Sequence, residues 1–468
     1  MKKRTIRTVM VFGLVPLFCG FGVGSCDWAQ LRFEPVSLNG FDPGDNAEDW
    51  NDYPWSMAYF VPDGETEGHV YVGTGNGIDE LAMSGLGMLD ESPYRPPEIR
   101  RYRPDLGKKQ WERVFDYRDI EDGPDYTSTG FRFMTVYRAQ SDEVNYLYAS
   151  TFGSSPTIWR SATGEPGSWE SVWTSGENGS IRGMATHNGL LYIAISNDLV
   201  MERTPGQIWA TDGDAIWPVM QDGFGNDANH AIMALMSYNG WLYAGTANAE
   251  TGYEVWRLEG PGKNGAEPVL VVNHGGPSCC NQAAATMCVF QDKLYVGNLT
   301  FVGSAVRGCD LIRISPDDSW ETIVGPDSLS GYDSGFNRRT NTYLWWMVEH
   351  DGDLYASTWD FASVAQVVAD NLDLVGDAFI AIRGLLEEGG LPSFKRTPTV
   401  VSTLTEGGAD LYRSADGVTW TSVFTDGLGD PYNYGVRTMV SAEGCLYLGM
   451  ANPFDGLEIW RSRCCAAE

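Results

Sequence analysis

The chain has 468 residues and carries 62 Asp and Glu against 32 Lys and Arg, so its formal net charge at pH 7 is −30. A surface this acidic repels nucleic acid and anionic lipid headgroups, which excludes nucleic acid as a partner. Length alone would allow about three domains of ordinary size, but the strand pattern described below indicates one continuous domain over residues 26–468.

The first 25 residues have the form of an export signal. Four basic residues precede an apolar run that ends at Cys26. The run is broken by Pro16 and is shorter than the about 20 apolar residues of a stable membrane span, so we predict a signal peptide over residues 1–25. Val-Gly-Ser-Cys at 23–26 resembles a bacterial lipobox, in which Cys26 becomes the lipidated first residue. We therefore expect an exported lipoprotein that faces the periplasm or the cell surface and touches the membrane only through its anchor; ordinary cleavage to a soluble protein is the alternative.

A short apolar segment built around Leu-Tyr recurs along the chain. Its seven copies are VYVGT at 70, LYAST at 147, LYIAI at 191, LYAGT at 242, LYVGN at 294, LYAST at 354 and LYLGM at 446. Each is followed by another alternating segment: EIRRYR at 98, TIWRS at 157, QIWAT at 207, EVWRL at 254, DLIRI at 310, DLYRS at 410 and EIWRS at 458. An apolar residue at a matching position precedes each Leu-Tyr copy, and a Trp-x-x-apolar segment ends most copies. Each repeat therefore predicts four strands.

Four antiparallel strands with a period of roughly 45 to 60 residues are typical of a β-propeller, since each blade buries its faces only against neighbouring blades. The sequence therefore predicts an all-β fold, a seven-bladed β-propeller of four-stranded blades. The last copy ends before its fourth strand. Residues 28–38 contain Phe33-x-x-Val36, which matches the missing strand. We predict that this N-terminal strand closes the last blade.

The hairpin at 410–427 carries a motif formed by Ser414, Asp416, Gly417, Thr419 and Trp420. It resembles the Asp-box of the sialidase superfamily, with one residue fewer between Asp and Gly. The repeats as a whole resemble those of bacterial secreted propeller proteins with GTxNxxxGxEIWRS repeats. This resemblance covers nearly all of the mature chain and implies a shared scaffold; the Arg-Ile-Pro sequence that sialidases carry beside a catalytic Arg is not found near the N-terminus.

Seven cysteines follow Cys26, and export makes disulfides expected. The strand pattern places them at neighbouring strand ends. The two predicted bridges join Cys445 to Cys464 or Cys465, and Cys309 to Cys279 or Cys280. Cys288, on a predicted inner strand, is expected to be a buried thiol.

One equivalent position of the predicted innermost strands carries Arg in three of the seven copies. Two residues before the shared apolar position, the copies have Trp55, Arg132, Arg182, Met233, Ala285, Trp345 and Arg437. Three Arg at equivalent inner positions predict a site for a carboxylate or sulfate, with Trp55 as its apolar wall. Arg338, Trp359 and Tyr434, on loops or strand ends of the same face, are further candidate ligand-binding residues. Alternatively, each Arg pairs with an acidic residue of the adjoining blade and holds the ring together.

The sixth blade has one large insertion, residues 359–409, between its second and third strands. Apolar residues spaced by three or four predict one or two amphipathic helices, either packed on the blade rim or serving as a lid or docking element. Two acidic segments, 42–52 and 222–229, have oxygen ligands that suit Ca²⁺ but lack EF-hand spacing. We expect no metal or cofactor, and Ca²⁺ is the one candidate.

These features predict a monomeric binding module that recognises a protein or an anionic glycan through the face where the propeller channel opens. The alternative is a carbohydrate-active hydrolase or lyase on an acidic sugar, sialidase-like in scaffold only. That chemistry needs two carboxylates about 5 to 10 Å apart, or a Tyr activated by Glu. The loops of this face offer Asp125, Asp333, Asp360 and Asp430 for it.

Overall fold

The structure is a computed structural model with an all-β fold. It describes residues 31–41, 51–77, 96–107, 110–120, 127–176, 179–196, 204–258, 267–279, 281–300, 307–363 and 407–463. Val, Ile, Tyr and Trp dominate the repeated segments, and these residue types favour strands. Between strands, the described residues form short 3-10 turns at Asn39–Phe41, Pro104–Leu106, Tyr117–Asp119 and Gly427–Gly429.

The strands follow one another in a repeating order. The first strands of the repeats are β2 (Tyr53–Phe60), β6 (Ser128–Tyr137), β10 (Gly179–His187), β14 (Ala231–Tyr238), β18 (Ala283–Phe290), β22 (Asn341–His350) and β26 (Gly435–Ala442). The second strands, which contain the Leu-Tyr segments, are β3 (His69–Gly75), β7 (Tyr146–Gly153), β11 (Leu190–Ser196), β15 (Trp241–Ala247), β19 (Lys293–Leu299), β23 (Asp353–Asp360) and β27 (Cys445–Ala451). The third strands are β4 (Glu98–Tyr102), β8 (Thr157–Ser161), β12 (Gln207–Thr211), β16 (Val255–Leu258), β20 (Leu311–Ile314), β24 (Leu411–Ser414) and β28 (Glu458–Ser462). The outer strands are β1 (Phe33–Ser37), β5 (Trp111–Asp116), β9 (Glu170–Thr174), β13 (Ile216–Met220), β17 (Val269–Val272), β21 (Trp320–Val324) and β25 (Thr421–Phe424).

Within a repeat, sequential strands pair antiparallel, as β2, β3, β4 and β5 do. Successive repeats are joined where the end of a second strand pairs with the start of the next first strand, for example Gly75 with Gly130 and Trp359 with Gly435. The first strands of successive repeats also contact each other, and β26 contacts β2. The described strands therefore form a nearly closed, propeller-like antiparallel sheet.

The two ends of the chain meet in this sheet. β1 pairs antiparallel with β28, with Phe33 opposite Ser462 and Pro35 opposite Trp460. Glu34 forms an ion pair with Arg461 across the same two strands. The predicted pairing of the N-terminal strand with the last C-terminal strand is thus confirmed.

The repeats pack tightly at the fourth position of the Leu-Tyr segment. A Cβ at Gly73 would lie 2.5 Å from Cβ of Phe131 on the next first strand, and one at Gly297 would lie 2.5 Å from Leu344. Where the segment reads LYAST, Ser150 and Ser357 replace the glycine. Their hydroxyls donate across the same boundary, at 2.9 Å, to the carbonyl oxygens of Ile181 and Val436. Close contact between neighbouring repeats therefore limits this position to small residues, and the copy at 191 has Ala194 there.

The Asp-box-like turn also joins two repeats. Asp416 Oδ1 accepts hydrogen bonds from the backbone N–H groups of Val418 at 2.8 Å and Thr419 at 2.6 Å. Gly417 has a φ of 72°, and a Cβ there would lie 1.8 Å from the hydroxyl oxygen of Tyr295 in the preceding repeat. The motif shapes a tight turn that packs on its neighbour, which is a structural role.

The predicted bridge to Cys309 is wrong. Cys309 and Cys279 are both free thiols. Cys309 is fully buried and packs with Leu311 and Phe336, whereas Cys279 is exposed. Placement on one face of the sheet therefore did not bring the sulfur atoms together. Cys280 lies outside the described residues.

The other cysteine pairing and the insertion fall largely outside the described residues. Cys445 is buried at the start of β27, but Cys464 and Cys465 are not described, so their bridge stays a prediction. In the insertion, Trp359 and Asp360 belong to β23 and residues 361–363 are helical, while 364–406 lie outside the described part of the chain.

Candidate functional site

Every first strand has a β-bulge at the same place. The pairing register shifts around a single residue, which is Trp55, Arg132, Arg182, Met233, Ala285, Trp345 or Arg437 according to the repeat. A bulged residue is left out of the ladder and its side chain is re-aimed. The equivalent positions found in the sequence are these bulges, which we call the bulge ring.

Aromatic side chains fill part of the space inside the bulge ring. The ring centroid of Tyr53 lies 6.1 Å from Trp55, 6.3 Å from Trp345 and 5.9 Å from Tyr434. Trp359 joins the cluster, 5.7 Å from Tyr434 and 6.4 Å from Trp345. Tyr434 is buried, whereas Trp359 is half-buried. The predicted residues Trp55, Trp359 and Tyr434 are therefore brought together.

Two glycines make room for the bulged tryptophans. A Cβ at Gly130 would lie 2.0 Å from ring atom Cε3 of Trp55, and a Cβ at Gly435 would lie 2.0 Å from Cζ3 of Trp345. Each glycine lies at the start of the first strand that follows its tryptophan. The indole rings therefore lie directly against the backbone of the neighbouring repeat.

Arg132 packs on the aromatic cluster. Its guanidinium carbon lies 4.2 Å from the ring centroid of Trp55 and 5.8 Å from that of Phe152. Arg132 is buried, with 8% of its surface exposed. At these distances the cation is attracted by the electron-rich ring faces. The sequence pattern placed Arg132 and Trp55 at equivalent positions, and the structure brings the two side chains together as neighbours.

Arg437 is the most isolated charge of the bulge ring. It is 6% exposed, and its guanidinium carbon lies 5.4 Å from the ring of Trp345. Across residues 31–463 as far as they are described, no carboxylate oxygen lies within 4.0 Å of it, the distance of an ion pair. Burial lowers the pKa of Arg437 to about 10, and the positive charge of Arg182 acts in the same direction. The charge of Arg182 therefore adds to the cost of a cation at Arg437, and no acidic residue of the described chain forms an ion pair with Arg437.

Two aromatic side chains, each directly after a bulged residue in its strand, narrow the space inside the bulge ring. Phe133 follows Arg132 on β6 and Trp346 follows Trp345 on β22, and their ring centroids are 6.1 Å apart. β6 and β22 belong to repeats that are not neighbours. The two rings therefore meet across the interior and bound the site from below.

Arg338 is bound by two carboxylates. Its guanidinium binds Asp410 at 2.7 Å and Asp360 at 3.0 Å, and both carboxylates are fully buried. It also donates to the carbonyl oxygen of Thr425 at 2.7 Å. Arg338 therefore holds the sixth repeat together through carboxylates of that same repeat, and not of an adjoining one.

A repeated network of asparagine and carboxylate side chains was not predicted from the sequence. An Asn just before or at the start of a first strand donates its amide to the acidic residue that begins or directly precedes the third strand, at 2.6 to 2.8 Å. The pairs are Asn51 with Glu98, Asn229 with Glu254, Asn281 with Asp310, Asn341 with Asp410 and Asn433 with Glu458. Four of these Asn also donate to the carbonyl of a Gly six residues earlier. The recurring Gly-x5-Asn spacing was the available signal.

These networks hold carboxylates in dry surroundings. Burial raises the pKa of Asp410 to about 6, and it also raises the pKa values of Asp310 and Glu458. Asp410 further accepts a hydrogen bond from the hydroxyl of Tyr412 at 2.8 Å. The acidic residue of the EIWRS-type segments is therefore structural.

The candidate catalytic carboxylates are also engaged. Asp360 binds Arg338, and Asp430 accepts hydrogen bonds from the backbone of Tyr432 at 2.8 Å and from Asn452 at 3.1 Å. Asp333 Oδ1 accepts a hydrogen bond from the backbone of Ser334 at 2.8 Å. Asp125 lies outside the described residues.

Neither calcium segment forms a metal cage in the described part of the chain. Residues 42–50 lie outside it, and in the other segment Asn226 and Asn229 both donate their amides to Glu254. Within the described ranges no group of three or more His, Cys, Asp or Glu side chains is placed to hold a metal ion.

A cleft of about 1110 Å³ lies at the opposite ends of the strands. Its arginines are already paired: Arg101 binds Glu165 at 2.5 Å and Arg103 binds Asp105 at 2.8 Å. Its rim carries further acidic residues, among them Glu65 and Glu443. Arg461, which also lines the cleft, is paired with Glu34, so each arginine that the structure describes in the lining has a carboxylate partner.

No protein-family model matches the chain. No curated protein matches it either. A search of the described residues finds no helix long and apolar enough to cross a membrane. The site must therefore be interpreted from its own geometry.

Proposed function

We propose that this protein is an exported, lipid-anchored, monomeric β-propeller that binds an anionic group of a protein or glycan through the bulge-ring face. In this proposal the repeats are seven blades of four strands, related in scaffold to secreted propellers with Asp-box-like repeats. The repeated pairing of β2 to β5 and the pairing of β1 with β28 support this arrangement. In this proposal the insertion within residues 359–409 continues after β23 as one or two helices.

We further propose that the protein is located outside the cytoplasm. The signal peptide over residues 1–25 directs export, and Cys26 carries the lipid that holds the protein at the membrane, facing the periplasm or the cell surface. The acidic surface keeps the propeller away from anionic headgroups. The bulge-ring face is then open to ligands outside the cytoplasm.

The observation that carries the binding proposal is Arg437. A buried guanidinium without an anionic partner is costly, because desolvation of the charge is not repaid. Arg437 is 6% exposed, is affected by the positive charge of Arg182, and has no carboxylate at ion-pair distance among the described residues. An anion supplied by a ligand would offset this cost. A binding role is therefore favoured over a purely structural one.

Hydrolysis or lyase chemistry receives less support. Asp360 and Asp430, two of the carboxylates considered for it, are held by hydrogen bonds within the fold. A group fixed in this way is poorly placed to act as acid or base on a substrate. We therefore propose a binding module and not an enzyme.

Binding of glucuronate and of glucose to the purified protein, measured by titration calorimetry, tests the proposal. We expect glucuronate to bind and Arg437→Met to weaken it by about 10- to 100-fold, since a charge-assisted hydrogen bond contributes about 1.5 to 3 kcal/mol. Arg463→Met, at a side chain that is 63% exposed, is the matched control and should bind as the wild type does. Equal affinity of wild type and Arg437→Met for every anionic probe would contradict the proposal.

A further inference from the structure

The cleft at the opposite ends of the strands lies where three repeats meet. The turn between β2 and β3 forms one side of it, the turn between β26 and β27 forms a second, and the turn after β8 forms a third. Its volume of about 1110 Å³ exceeds the about 300 to 1,000 Å³ of typical small-molecule sites. The cleft therefore has room for a segment of another molecule and not only for a single ion.

Negative charge is in excess in the lining of this cleft. The lining contains six carboxylates and three guanidinium groups, a difference of three negative charges. Burial lowers the pKa of His69, which also lines the cleft, and the charges of Arg101 and Arg103 act in the same direction, so this imidazole is neutral at pH 7. A cleft lined mainly by one sign of charge attracts ligands of the other sign. We therefore expect this cleft to attract cations.

Several of these carboxylates remain available to a ligand. Arg101 and Arg103 are paired with Glu165 and Asp105. Three other lining carboxylates have no Lys or Arg nitrogen at ion-pair distance in the part of the chain that the structure describes, and their residues are exposed. They are Glu65, Glu67 and Glu443. The accessible part of the lining thus carries the uncompensated negative charge.

Tyr59 links the two turns that carry these carboxylates. Its hydroxyl donates to Glu443 Oε1 at 2.8 Å and accepts a hydrogen bond from the backbone N–H of Gly68 at 3.1 Å. Burial raises the pKa of Tyr59, and the hydrogen bond to Glu443 and the charge of Glu67 act in the same direction. Carboxylates from the first and the last repeat therefore act on one hydroxyl, on a half-buried aromatic side chain.

We infer that this cleft binds a basic segment of a partner protein, one that carries Lys or Arg. The inference goes beyond the proposed function, because the cleft lies away from the bulge ring and takes the opposite charge. Glu67 and Glu443 pair with the cationic group, and the ring of Tyr59 offers a face that attracts a cation. A metal ion fits less well, since within the described ranges no group of three or more His, Cys, Asp or Glu is placed to hold one.

A short basic peptide tests this inference on the mature protein. Acetyl-Ala-Lys-Ala-Lys-Ala-amide is compared with the same peptide acetylated on both lysines, which keeps its length and removes its charge. Spermidine and Ca²⁺ are measured in parallel as a small amine and a metal ion. Titration calorimetry is performed at low ionic strength, where exposed charges are least screened. We expect the charged peptide to bind at least about tenfold more tightly than the acetylated one, since one charge-assisted contact contributes that much.

Variants locate the effect in the cleft. Glu67→Gln and Glu443→Gln should each weaken binding of the charged peptide, and Gln at 443 still offers an oxygen to the hydroxyl of Tyr59. Glu250→Gln is the matched control, because Glu250 is exposed in the turn after β15, at the other ends of the strands. Arg437→Met should also leave peptide binding unchanged. Two cleft positions are used so that a folding defect in one variant, seen by circular dichroism, leaves the other as a test.

Each alternative outcome has a distinct meaning. Equal affinity for the charged and the acetylated peptide overturns the inference. Tighter binding of spermidine also overturns it and would assign the cleft to small amines, as displacement of the peptide by Ca²⁺ would assign it to metal ions. Equal weakening by Glu250→Gln and Glu443→Gln would show a general attraction to the acidic surface and no site. None of these results affects glucuronate binding at Arg437, so the two proposals can fail separately.

Discussion

Gly130 lies directly beneath the indole ring of Trp55, because a Cβ at this position would come within 2.0 Å of ring atom Cε3. The guanidinium carbon of Arg132 packs over the indole of Trp55, 4.2 Å from the ring centroid. The position of one bulged side chain therefore depends on a glycine in the next repeat. This relationship gives the first prediction.

Gly130→Ala should destabilise the protein by about 1 to 3 kcal/mol, the usual cost of overpacking. The added methyl group pushes the indole away from the backbone, so tryptophan fluorescence should change as well. Urea unfolding measures the loss. Gly176→Ala, where an added Cβ has nothing within 4 Å, is the control and should stay within about 0.5 kcal/mol of wild type. Equal stability of both variants would show that Trp55 does not rest on Gly130.

Arg338 and Arg437 should respond in opposite directions to the same substitution. Arg338→Met leaves two buried carboxylates, Asp360 and Asp410, without their cation, and breaking such a pair typically costs about 3 to 5 kcal/mol. Arg437→Met removes a buried charge that the positive charge of Arg182 disfavours, so we expect the free energy of unfolding to rise by about 1 kcal/mol. Chemical denaturation of both variants makes the comparison. Destabilisation of Arg437→Met by as much as Arg338→Met would indicate that Arg437 has a structural partner.

Asp410 should make stability fall as pH rises. Burial raises its pKa to about 6 in the folded protein, against about 3.9 in an unfolded chain. Between these values the folded state binds more protons, so its stability is greatest near pH 4 and declines until about pH 6. The full change is roughly 3 kcal/mol at most, from about two pKa units. We expect the difference in unfolding free energy between wild type and Asp410→Asn to shrink by that order over this window. A difference that does not vary with pH would contradict the assignment.

A disulfide between Cys445 and Cys464 or Cys465 is expected to stabilise the C-terminal repeat. A bridge that closes a loop of this length contributes roughly 3 kcal/mol by chain entropy. Non-reducing peptide mapping should recover the linked peptide, and reduction should lower the unfolding midpoint. Cys445→Ser should already have the lower midpoint and show no further response to reductant. Recovery of Cys445 as a free thiol would end this prediction.

Lipidation of Cys26 is the prediction for the mature N-terminus. Mass spectrometry of the protein purified from membranes should find a diacylglyceryl modification on this residue, because the preceding Val-Gly-Ser resembles a lipobox. Cys26→Ser should release the protein from the membrane fraction. An unmodified Cys26, or unchanged membrane association of the variant, would favour ordinary cleavage.

The strands were predictable because their signal is local. The Leu-Tyr segments marked the second strands, and Phe33-x-x-Val36 marked the strand that pairs with β28. The equivalent positions of Arg132 and Trp55 could also be predicted from the sequence. A bulge at the same place in every first strand keeps these residues at the same distance from the shared apolar residue. The cation–π contact between Arg132 and Trp55 could not be predicted from the sequence, because it depends on the distance between neighbouring repeats.

The sequence did not predict which side chains from distant parts of the chain contact each other. Arg338 was expected to face a ligand, yet it meets Asp410, a residue 72 positions away. Cys309 was expected to bond a neighbour on its face, but sulfur atoms bond only at the correct separation and direction. The contact of Phe133 with Trp346 joins repeats that are distant in sequence. Each of these depends on how the ring closes.

The pairing of β1 with β28 also governs when the protein can finish folding. Glu34 and Arg461, which face each other across it, are 427 residues apart in the chain. Joining segments so distant is entropically slow, and it cannot occur before the last strand has been synthesised and released. Until then β28 is an open edge that other strands could extend. If Cys26 carries the anchor, any pull on the membrane end acts first on β1, so the strand that completes the ring is also the one a force would peel away.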